Sequence, residues 1–281
     1  NVAPPMRRHW MTLVATLALG VHAGPAASAD TSSDPLSGRG SLAVGVFSNR
    51  TDLQIRFDPS SLKLGTEVDW DQRFGLADSH RFRVDGLWRF KPRHHLRVLY
   101  TDYSQTDRAR IDKEIQWGDE LIPVNSDVTG RLGFKIVELA YEYTFLKRPN
   151  HELAASLGVH YTALSAQLFA TLNSASVGSR SVGGEAPVDA PLPVVGLRGL
   201  WRVGKNVYLD AQVQYFSLTV NDIAGSLSNR RAALIWQPAA RWGVGVGFDA
   251  FEVEARLKDG DFRGTVDWAY RGPQAFVNYT F

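Results

Sequence analysis

Cysteine is absent from the 281-residue chain, which excludes a disulfide framework, a thiolate metal site and a cysteine nucleophile. Histidines and carboxylates show no metal-ligand spacing either, so we expect no metal and no other cofactor. Gly243, Gly245 and Gly247 alternate strictly with valines, and no helical pattern follows them. That spacing argues against a phosphate-binding loop and for a strand that leaves room on one face.

A long apolar run is also missing, because after residue 29 none approaches the ~18 residues that a membrane helix needs. An excess of charge of one sign is missing as well. Arg7 and Arg8 are the only charged residues in 1–29, so of the 31 basic residues 29 remain to balance the 29 acidic ones. We therefore expect no nucleic acid as a partner.

The start of the chain has the pattern of a cleaved secretory signal. A basic pair at Arg7 and Arg8 precedes the apolar run Trp10–Val21, and small residues at 27–29 precede Asp30. The sequence thus predicts a signal peptide with upstream residues at 1–29 and one domain at 30–281.

Strict alternation of apolar and polar residues recurs along this domain, whereas helical periodicity is nearly absent. In 137–145, Val137, Leu139, Tyr141, Tyr143 and Phe145 alternate with polar residues that include Glu138 and Glu142. Aromatic residues crowd the short turns, and short connections alternate with long ones at 105–129, 165–191 and 220–228. Both features favour an all-β, antiparallel up-and-down transmembrane barrel, with apolar side chains facing lipid and charges facing the lumen.

Counting strands between the short turns gives ten, which places both termini in the periplasm. The predicted strands are 41–57, 80–91, 94–105, 130–147, 150–165, 191–203, 206–220, 226–238, 241–257 and 262–281. A twelve-strand alternative splits the last strand at 271–273. The apolar parity changes after Phe248, which predicts a bulge near Ala250 and another at Gly272 and Pro273. The sequence at 112–123, in an outer loop, predicts a short hairpin that rises above the membrane or folds across the pore.

The chain ends on Val277, Tyr279 and Phe281, which alternate with polar residues. This end resembles the closing strand of Gram-negative outer-membrane proteins, whose assembly machinery reads such a terminus. The resemblance implies the outer membrane as the location. It implies three partners: the barrel-assembly machinery through the strand ending at Phe281, outer-membrane lipid, and lipopolysaccharide.

The predicted register directs a set of polar side chains into the lumen, which we call the polar ladder. Its central members are Arg83, Asp85, Arg97, Glu138, Glu142, His160, Arg198, Asp210, Glu252 and Glu254, and the wider set adds Arg81, Arg89, Arg202, Gln212, Arg256 and Asp267. A barrel of this size has a narrow interior that side chains can fill. The ladder is therefore either a set of ion pairs that supports the barrel or a polar path or binding site for a small solute.

Omptin proteases are similar to this chain in size and architecture, and acidic residues at 69, 71, 102 and 107 fall near the predicted outer rim. A lipid esterase would need a histidine and a serine at strand spacing, as His160 has with Ser156. The sequence shows no omptin-type paired Asp and Asp-His motif, and the register turns His160 inward. We therefore assign no catalytic residue and expect a protein that is not an enzyme, with an outer-membrane hydrolase as the alternative.

Segments between Leu96 and His160, such as those at 100–104, 115–119, 140–145 and 155–160, and the residues at 261–264 and 272–274, look like a group of uncharacterised proteobacterial outer-membrane β-barrel proteins. The resemblance covers most of residues 30–281 and implies a location and a fold, without a substrate. The sequence thus predicts a barrel of structural or surface-interaction type, or a narrow solute conduit.

Overall fold

The computed structural model describes residues 34–60, 64–75, 79–174, 178–220, 223–258 and 263–281. The predicted signal peptide at 1–29 lies outside these ranges. Within them, no helix is both long and apolar enough to cross a membrane.

Ten long strands account for most of the described chain, and short elements lie only in two of the outer connections. The elements are β1 (Gly40–Phe57), β2 (Glu67–Asp69), α1 (Trp70–Phe74), β3 (Ser79–Lys91), β4 (His94–Arg110), β5 (Ile115–Trp117), β6 (Glu120–Ile122), β7 (Asp127–Arg148), β8 (His151–Ser174), β9 (Gly178–Gly204), β10 (Val207–Val220), β11 (Ile223–Trp236), β12 (Trp242–Leu257) and β13 (Gly264–Thr280).

Each long strand pairs antiparallel with the next long strand along the chain, and β13 pairs with β1 to close the sheet. Closure gives every membrane-depth strand two neighbours, as lipid requires of backbone polar groups. The ten-strand prediction is confirmed. The split of the last strand that a twelve-strand barrel needs is wrong, because β13 runs unbroken from Gly264 to Thr280.

The prediction of a loop at 165–191 is wrong. β8 reaches Ser174 and β9 begins at Gly178, and the two strands pair from His151 and Trp201 to Ser174 and Gly178. The 24 residues of β8 are more than twice the ~9–11 that cross a bilayer. This hairpin therefore projects well beyond the membrane, and pairing with the partner strand overrides the loop-like propensity of its serines and glycines.

Along β7, the surroundings of the outward-facing side chains change from lipid to water. In its periplasmic half, Leu139 is 51% exposed while Glu142 is fully buried. In its outer half the roles reverse, since Phe134 and Ile136 face the interior and Lys135 is exposed. The parity of the strand never changes, so the reversal marks the level at which the surroundings change from lipid to water.

The exposed apolar side chains of the periplasmic halves form a continuous band, which we call the lipid belt. Members include Leu42, Val46, Phe82, Trp88, Val98, Leu139, Leu157, Val195, Val213, Leu234, Trp242, Val246, Phe248 and Val277. Near the periplasmic turns the belt ends in aromatic contacts such as Trp88 with Phe90 and His94 with Tyr143. A closed barrel with this outer surface spans a membrane.

The two predicted bulges are wrong. β12 pairs with β13 in one unshifted register from Trp242 and Tyr279 to Leu257 and Gly264, through Phe248 and Pro273. Phe251 and Val253 occupy interior positions because the interior of the outer half is apolar, so no change of parity is needed.

Candidate functional site

The lumen is the site at which a conduit, a binding pocket or a structural core would have to be found. Its periplasmic mouth is covered by the segment before β1. Leu36 is buried there against Leu200, Tyr208 and Ile235, and Phe276 packs against this cluster. This apolar cap forms the first layer of the lumen.

The segment is also anchored by polar contacts. Arg89 Nη2 donates to the Pro35 carbonyl at 3.0 Å, and Asp34 forms an ion pair with Arg202. The cap is therefore tied to strands β3 and β9 on two sides of the mouth.

Above the cap lies a layer of ion pairs built around two aspartates. Asp85 on β3 lies 3.3 Å from Arg97 and 3.5 Å from Arg83, and it also pairs with Arg231. Asp210 on β10 accepts two hydrogen bonds from Arg198, at 2.8 and 3.0 Å.

Arg231 and Arg97 also join these two centres, since they lie 3.7 and 3.9 Å from Asp210. Strands β3, β4, β9, β10 and β11 thus meet through one connected set of charges across the lumen. A connected network of this kind fixes strand positions that apolar contacts alone would leave free to slide.

Two glutamates extend the network toward β7 and β8. Glu142 lies 3.6 Å from Arg198 and 3.7 Å from Arg97, with His95 at 3.8 Å. Glu152 binds Arg89 through both carboxylate oxygens, at 2.6 and 2.9 Å. Glu142 is fully buried and neither of its carboxylate oxygens has a hydrogen-bond partner among the described residues, so these cations compensate its charge through space alone.

Closer to the outer side, Glu138 lies 3.3 Å from His160, and His160 lies 3.3 Å from Gln214. Asp249, fully buried on β12, pairs with Arg83 and accepts from Asn229 at 2.9 Å. Among the described inward-facing side chains at this depth, six arginines face six carboxylates. The arginines are Arg81, Arg83, Arg89, Arg97, Arg198 and Arg231, and the carboxylates are Asp85, Glu138, Glu142, Glu152, Asp210 and Asp249.

The third layer is apolar and aromatic and fills the outer half of the lumen. Phe134 and Trp268 lie 4.5 Å apart between ring centroids, and Phe251 stacks on Tyr270 at 4.8 Å. The guanidinium of Arg81 sits 4.0 Å from the centroid of Phe134, so a cation–π contact joins this layer to the ions below.

The outer connections cover the aromatic layer. The β5–β6 hairpin folds across the barrel, with Trp117 fully buried and its indole N–H donating to the Gly184 carbonyl at 3.1 Å. Helix α1 adds buried Trp70 and Phe74. The predicted hairpin in the 112–123 loop is confirmed, and it is of the kind that folds across the pore.

Among the residues that the structure describes, a partly open space lies in the lumen between the cap and the ion pairs. It has a volume of about 50 Å³ and is lined by Arg83, Asp85, Arg97, Asp210 and Arg231 on one side and Leu200, Ile235 and Phe276 on the other. Such a volume accommodates about three waters, and its lining supplies enough polar partners for them. It is too small for a sugar or an amino acid.

Comparison with known proteins bears on the fold. No family model matches the chain, and no curated protein sequence matches it. Among solved structures, the outer membrane protease OmpT from Escherichia coli aligns with a TM-score of 0.57 at 13% identity, over 89% of this chain and 100% of that one. The translocator domain of the autotransporter NalP from Neisseria meningitidis aligns with a TM-score of 0.45 at 11% identity, over 89% and 92%.

The attachment invasion locus protein Ail of Yersinia pestis aligns with a TM-score of 0.37 at 11% identity, over 87% of this chain and 99% of that one. The chain is a membrane-spanning β-barrel of the outer-membrane type. The closed sheet, the lipid belt and the similarity of fold to OmpT agree on this point.

Eight of the ten central ladder residues face the lumen. Arg83, Asp85, Arg97, Glu142, Arg198 and Asp210 form one connected set of ion pairs, and Glu138 pairs with His160. Glu252 and Glu254 do not face the lumen. Both are exposed on the outer surface of β12, and Arg256 and Asp267 are exposed with them. The prediction was wrong for these four because they lie above the lipid belt, where the outside of the barrel is water.

Four ionisable residues that the structure describes in the lumen are not in the predicted ladder: His95, Glu152, Arg231 and Asp249. Arg231 shares its parity with buried Ala233 and Ile235, and Asp249 continues the inward series Gly243, Gly245 and Gly247. The strand alternation therefore contained the signal for both, and the assumed bulge near Ala250 concealed Asp249.

The acidic residues at the outer rim are the candidate catalytic groups of a hydrolase. Asp69 caps α1 by accepting from the Gln72 N–H at 3.0 Å, and Asp112 accepts from Arg73 at 3.1 Å. Burial, with Asp69 and Asp52 nearby, raises the pKa of the Asp71 carboxyl. The hydrogen bond from Arg73 lowers the pKa of Asp112.

The histidines with described side chains lie elsewhere. His94, His95 and His151 lie at the periplasmic ends of their strands, and His160 is 3% exposed beneath Phe251, whose ring centroid is 6.2 Å from its own. His160 therefore has no route to a substrate at the rim or in the lipid. Over the described residues, no group of three or more histidines and carboxylates is arranged to hold a metal ion.

Proposed function

We propose that this protein is a closed, non-conducting barrel whose lumen is a structural core and whose function is performed by its outer surface. The observation that carries the proposal is the succession of layers in the lumen. An apolar cap around Leu36, the ion pairs around Asp85 and Asp210, and the aromatic layer around Phe134 follow one another along the axis. A solute would have to displace all three.

The outer connections support the surface part of the proposal. Leu64 is 70% exposed, Val124 is 50% exposed and Leu121 is 46% exposed, and all three lie beyond the lipid belt. Their loops are linked, because the Thr66 N–H donates to the Gln116 carbonyl at 2.8 Å. Apolar side chains held on a rigid, water-exposed rim are suited to contact another macromolecule.

Single-channel recording on the refolded protein in a planar bilayer tests closure. We expect no stable current steps, while a known channel protein inserted by the same protocol gives them. Folding is checked separately by the shift between heated and unheated bands on a gel. Reproducible steps from protein that passes this check would overturn the proposal and restore the solute conduit.

We also propose that the protein is not an enzyme. The described histidines are remote from the rim acids, which supports this view. Folded protein is therefore expected to release no more product from a peptide mixture or from phospholipid than the heat-unfolded protein does. Turnover that requires folding, and that is lost in Asp71→Asn or His160→Ala, would establish a hydrolase instead.

Recognition by the assembly machinery, the lipid partner and the relationship to other barrel proteins are part of the same proposal. Val277 of β13 and Phe281, which follows β13, are both 47% exposed, which supports recognition by the barrel-assembly machinery. We propose lipopolysaccharide as the lipid partner of the outer leaflet. We propose also that the chain belongs with the proteobacterial barrel proteins that its sequence resembles.

A further inference from the structure

The upper edge of the lipid belt carries an unusual alignment of arginines. Arg230 on β11 is opposite Ala250 on β12, Ala250 is opposite Arg271 on β13, and Arg271 is opposite Arg50 on β1. All three guanidinium side chains are exposed on the outer surface. We call Arg230, Arg271 and Arg50 the arginine row.

The row lies at a sharp boundary in the same four strands. One step toward the periplasm the outward residues are Ala232, Phe248, Pro273 and Ser48, and further steps are apolar. One step outward they are Ser228, Glu252, Ala269 and Asp52. The row is therefore at the depth where lipid chains end and headgroups begin.

Like charges directly across a strand pair repel each other, as Arg271 and Arg50 do, and Arg50 also interacts with the carboxylate of Asp71. Arg230 has one described carboxylate partner, Glu252 at 3.8 Å, and both side chains of that pair are more than half exposed. Such an exposed pair contributes little. An anion placed over the row would relieve the repulsion, and planar guanidinium groups are well matched to phosphate oxygens.

A second, independent feature lies on the periplasmic side of the arginine row. A groove of about 450 Å³ opens on the lipid-facing side of β9–β12, over the small side chains of Ala211, Ala232 and Ala250. Phe248, Leu197 and Trp201 wall it, and Arg230 and Ala250 lie at its outer end. The groove is almost entirely apolar and faces the hydrocarbon of the membrane.

Gly199 explains the shape of its periplasmic end. A Cβ at Gly199 would come within 2.0 Å of the Trp201 ring, so the indole lies against the glycine backbone and forms the end wall. The periplasmic end of the groove is therefore shaped by a residue without a side chain next to a large one.

We propose that this face of the barrel binds one phosphorylated lipid of the outer leaflet. Its phosphate lies over Arg230, Arg271 and Arg50, and one acyl chain occupies the groove above Ala211 and Ala232. The two halves of the site recognise the two ends of the same molecule. A free phosphate would use only the row, and a second barrel would use only the groove.

Binding is measured with folded protein in detergent, using bisphosphorylated lipid A, its dephosphorylated form, and inorganic phosphate as separate probes. Native mass spectrometry counts bound lipid, and a fluorescence titration gives the dissociation constant. We expect one tightly bound bisphosphorylated lipid, weaker binding of the dephosphorylated form, and no competition from millimolar inorganic phosphate. Competition by inorganic phosphate would show that the row is an anion site without lipid selectivity.

The charge half of the site is tested with Arg230→Gln and Arg271→Gln. Each is expected to weaken lipid binding by about tenfold, the effect of losing a hydrogen bond to a charged group. Lys135→Gln is the matched control, because Lys135 is an exposed cation at the edge of the belt that is opposite Asp102. Unchanged affinity in the two arginine variants, or an equal loss in the control, would overturn the proposal.

The groove half is tested with Ala232→Trp, which fills the groove from an exposed position. Lipid binding should fall while the refolded band and the circular dichroism spectrum stay unchanged. Val46→Trp, at an exposed position of the belt outside the groove, should leave binding unchanged. Full lipid binding by Ala232→Trp would exclude the groove as the site of the acyl chain. The site rests on the proposal that lipopolysaccharide is the lipid partner. Closure of the lumen is measured separately by conductance, so a failure of lipid binding leaves the closed-barrel proposal standing.

Discussion

Asp210→Asn tests whether the buried ions hold this barrel together. The substitution keeps the shape of the side chain but removes a buried charge that accepts two hydrogen bonds from Arg198 and has Arg231 at 3.7 Å and Arg97 at 3.9 Å. The amide oxygen can keep one hydrogen bond to Arg198. Three guanidinium groups then share fewer carboxylates in the buried interior.

Removing one partner of a buried pair costs about 3–5 kcal/mol. Arg97 also contacts Asp85, and Arg198 also contacts Glu142, so the arginines keep other partners and we expect the lower half of that range. With a slope of about 2 kcal/mol per molar urea, the unfolding midpoint should fall by roughly 1.5–2 M. Tryptophan fluorescence of the protein in lipid vesicles measures the midpoint, and refolding from urea checks reversibility.

Glu254→Gln is the matched control, because the sequence predicted Glu254 to face the lumen and the structure places it on the outer surface. It should change stability by less than about 0.5 kcal/mol. The double variant Arg198→Gln, Asp210→Asn should be less destabilised than the sum of its single variants, since the two charges leave together. Equal midpoints for Asp210→Asn and Glu254→Gln would refute the assignment of faces and the importance of the network.

Two further predictions concern the belt and the outer rim. Leu139→Arg places a charge in the lipid belt and should cost about 2–4 kcal/mol in the same urea assay, whereas Thr129→Arg, higher on β7, should be nearly neutral; similar costs would place the lipid boundary elsewhere. The pKa of the Asp71 carboxyl is raised in the folded state, so the folded protein holds this proton more tightly than the unfolded chain does. The resulting stabilisation is fully present at pH values below the unfolded pKa, and it is lost as the pH rises through the folded pKa. Asp71→Asn should therefore increase amide protection of residues 70–74 at pH 7 relative to the native protein, with little difference at low pH, and equal protection at pH 7 would contradict the assigned cause.

The sequence predicted the strands of the membrane region well, as β7 illustrates. Val137 to Phe145 alternate with Glu138, Ala140, Glu142 and Thr144, and this pattern specifies both the strand and its two faces. The pattern is strong there because lipid on one side and buried ions on the other differ sharply. Eight ladder residues were placed correctly for that reason.

Glu252 and Glu254 were misplaced by the same reasoning. Alternation shows that Phe251 and Glu252 face opposite sides, but it does not show which side is water. In the outer half of the barrel the interior is filled by aromatic rings, so the charges face outward. The depth of a residue along the barrel axis decides its orientation, and depth depends on strands that lie far apart in the sequence.

The hairpin of β8 and β9 shows a second limit of prediction from the sequence. Ser174, Gly178 and Ser179 have a composition typical of loops, yet the partner strand supplies hydrogen bonds that extend the ladder to the position of Ser174 and Gly178. Pairing in a sheet is a tertiary contact, and local propensity is overridden when a neighbour is available.

The sequence by itself determined that the chain forms ten strands with two unlike faces, because side-chain parity is a local consequence of extended backbone geometry. Only the tertiary structure decided that three layers of side chains fill the lumen, that Asp85, Asp210 and Glu142 share their arginines, and that three arginines align on one outer edge. Those arrangements depend on the register between strands and on the closure of the sheet, and neither is encoded in any single segment.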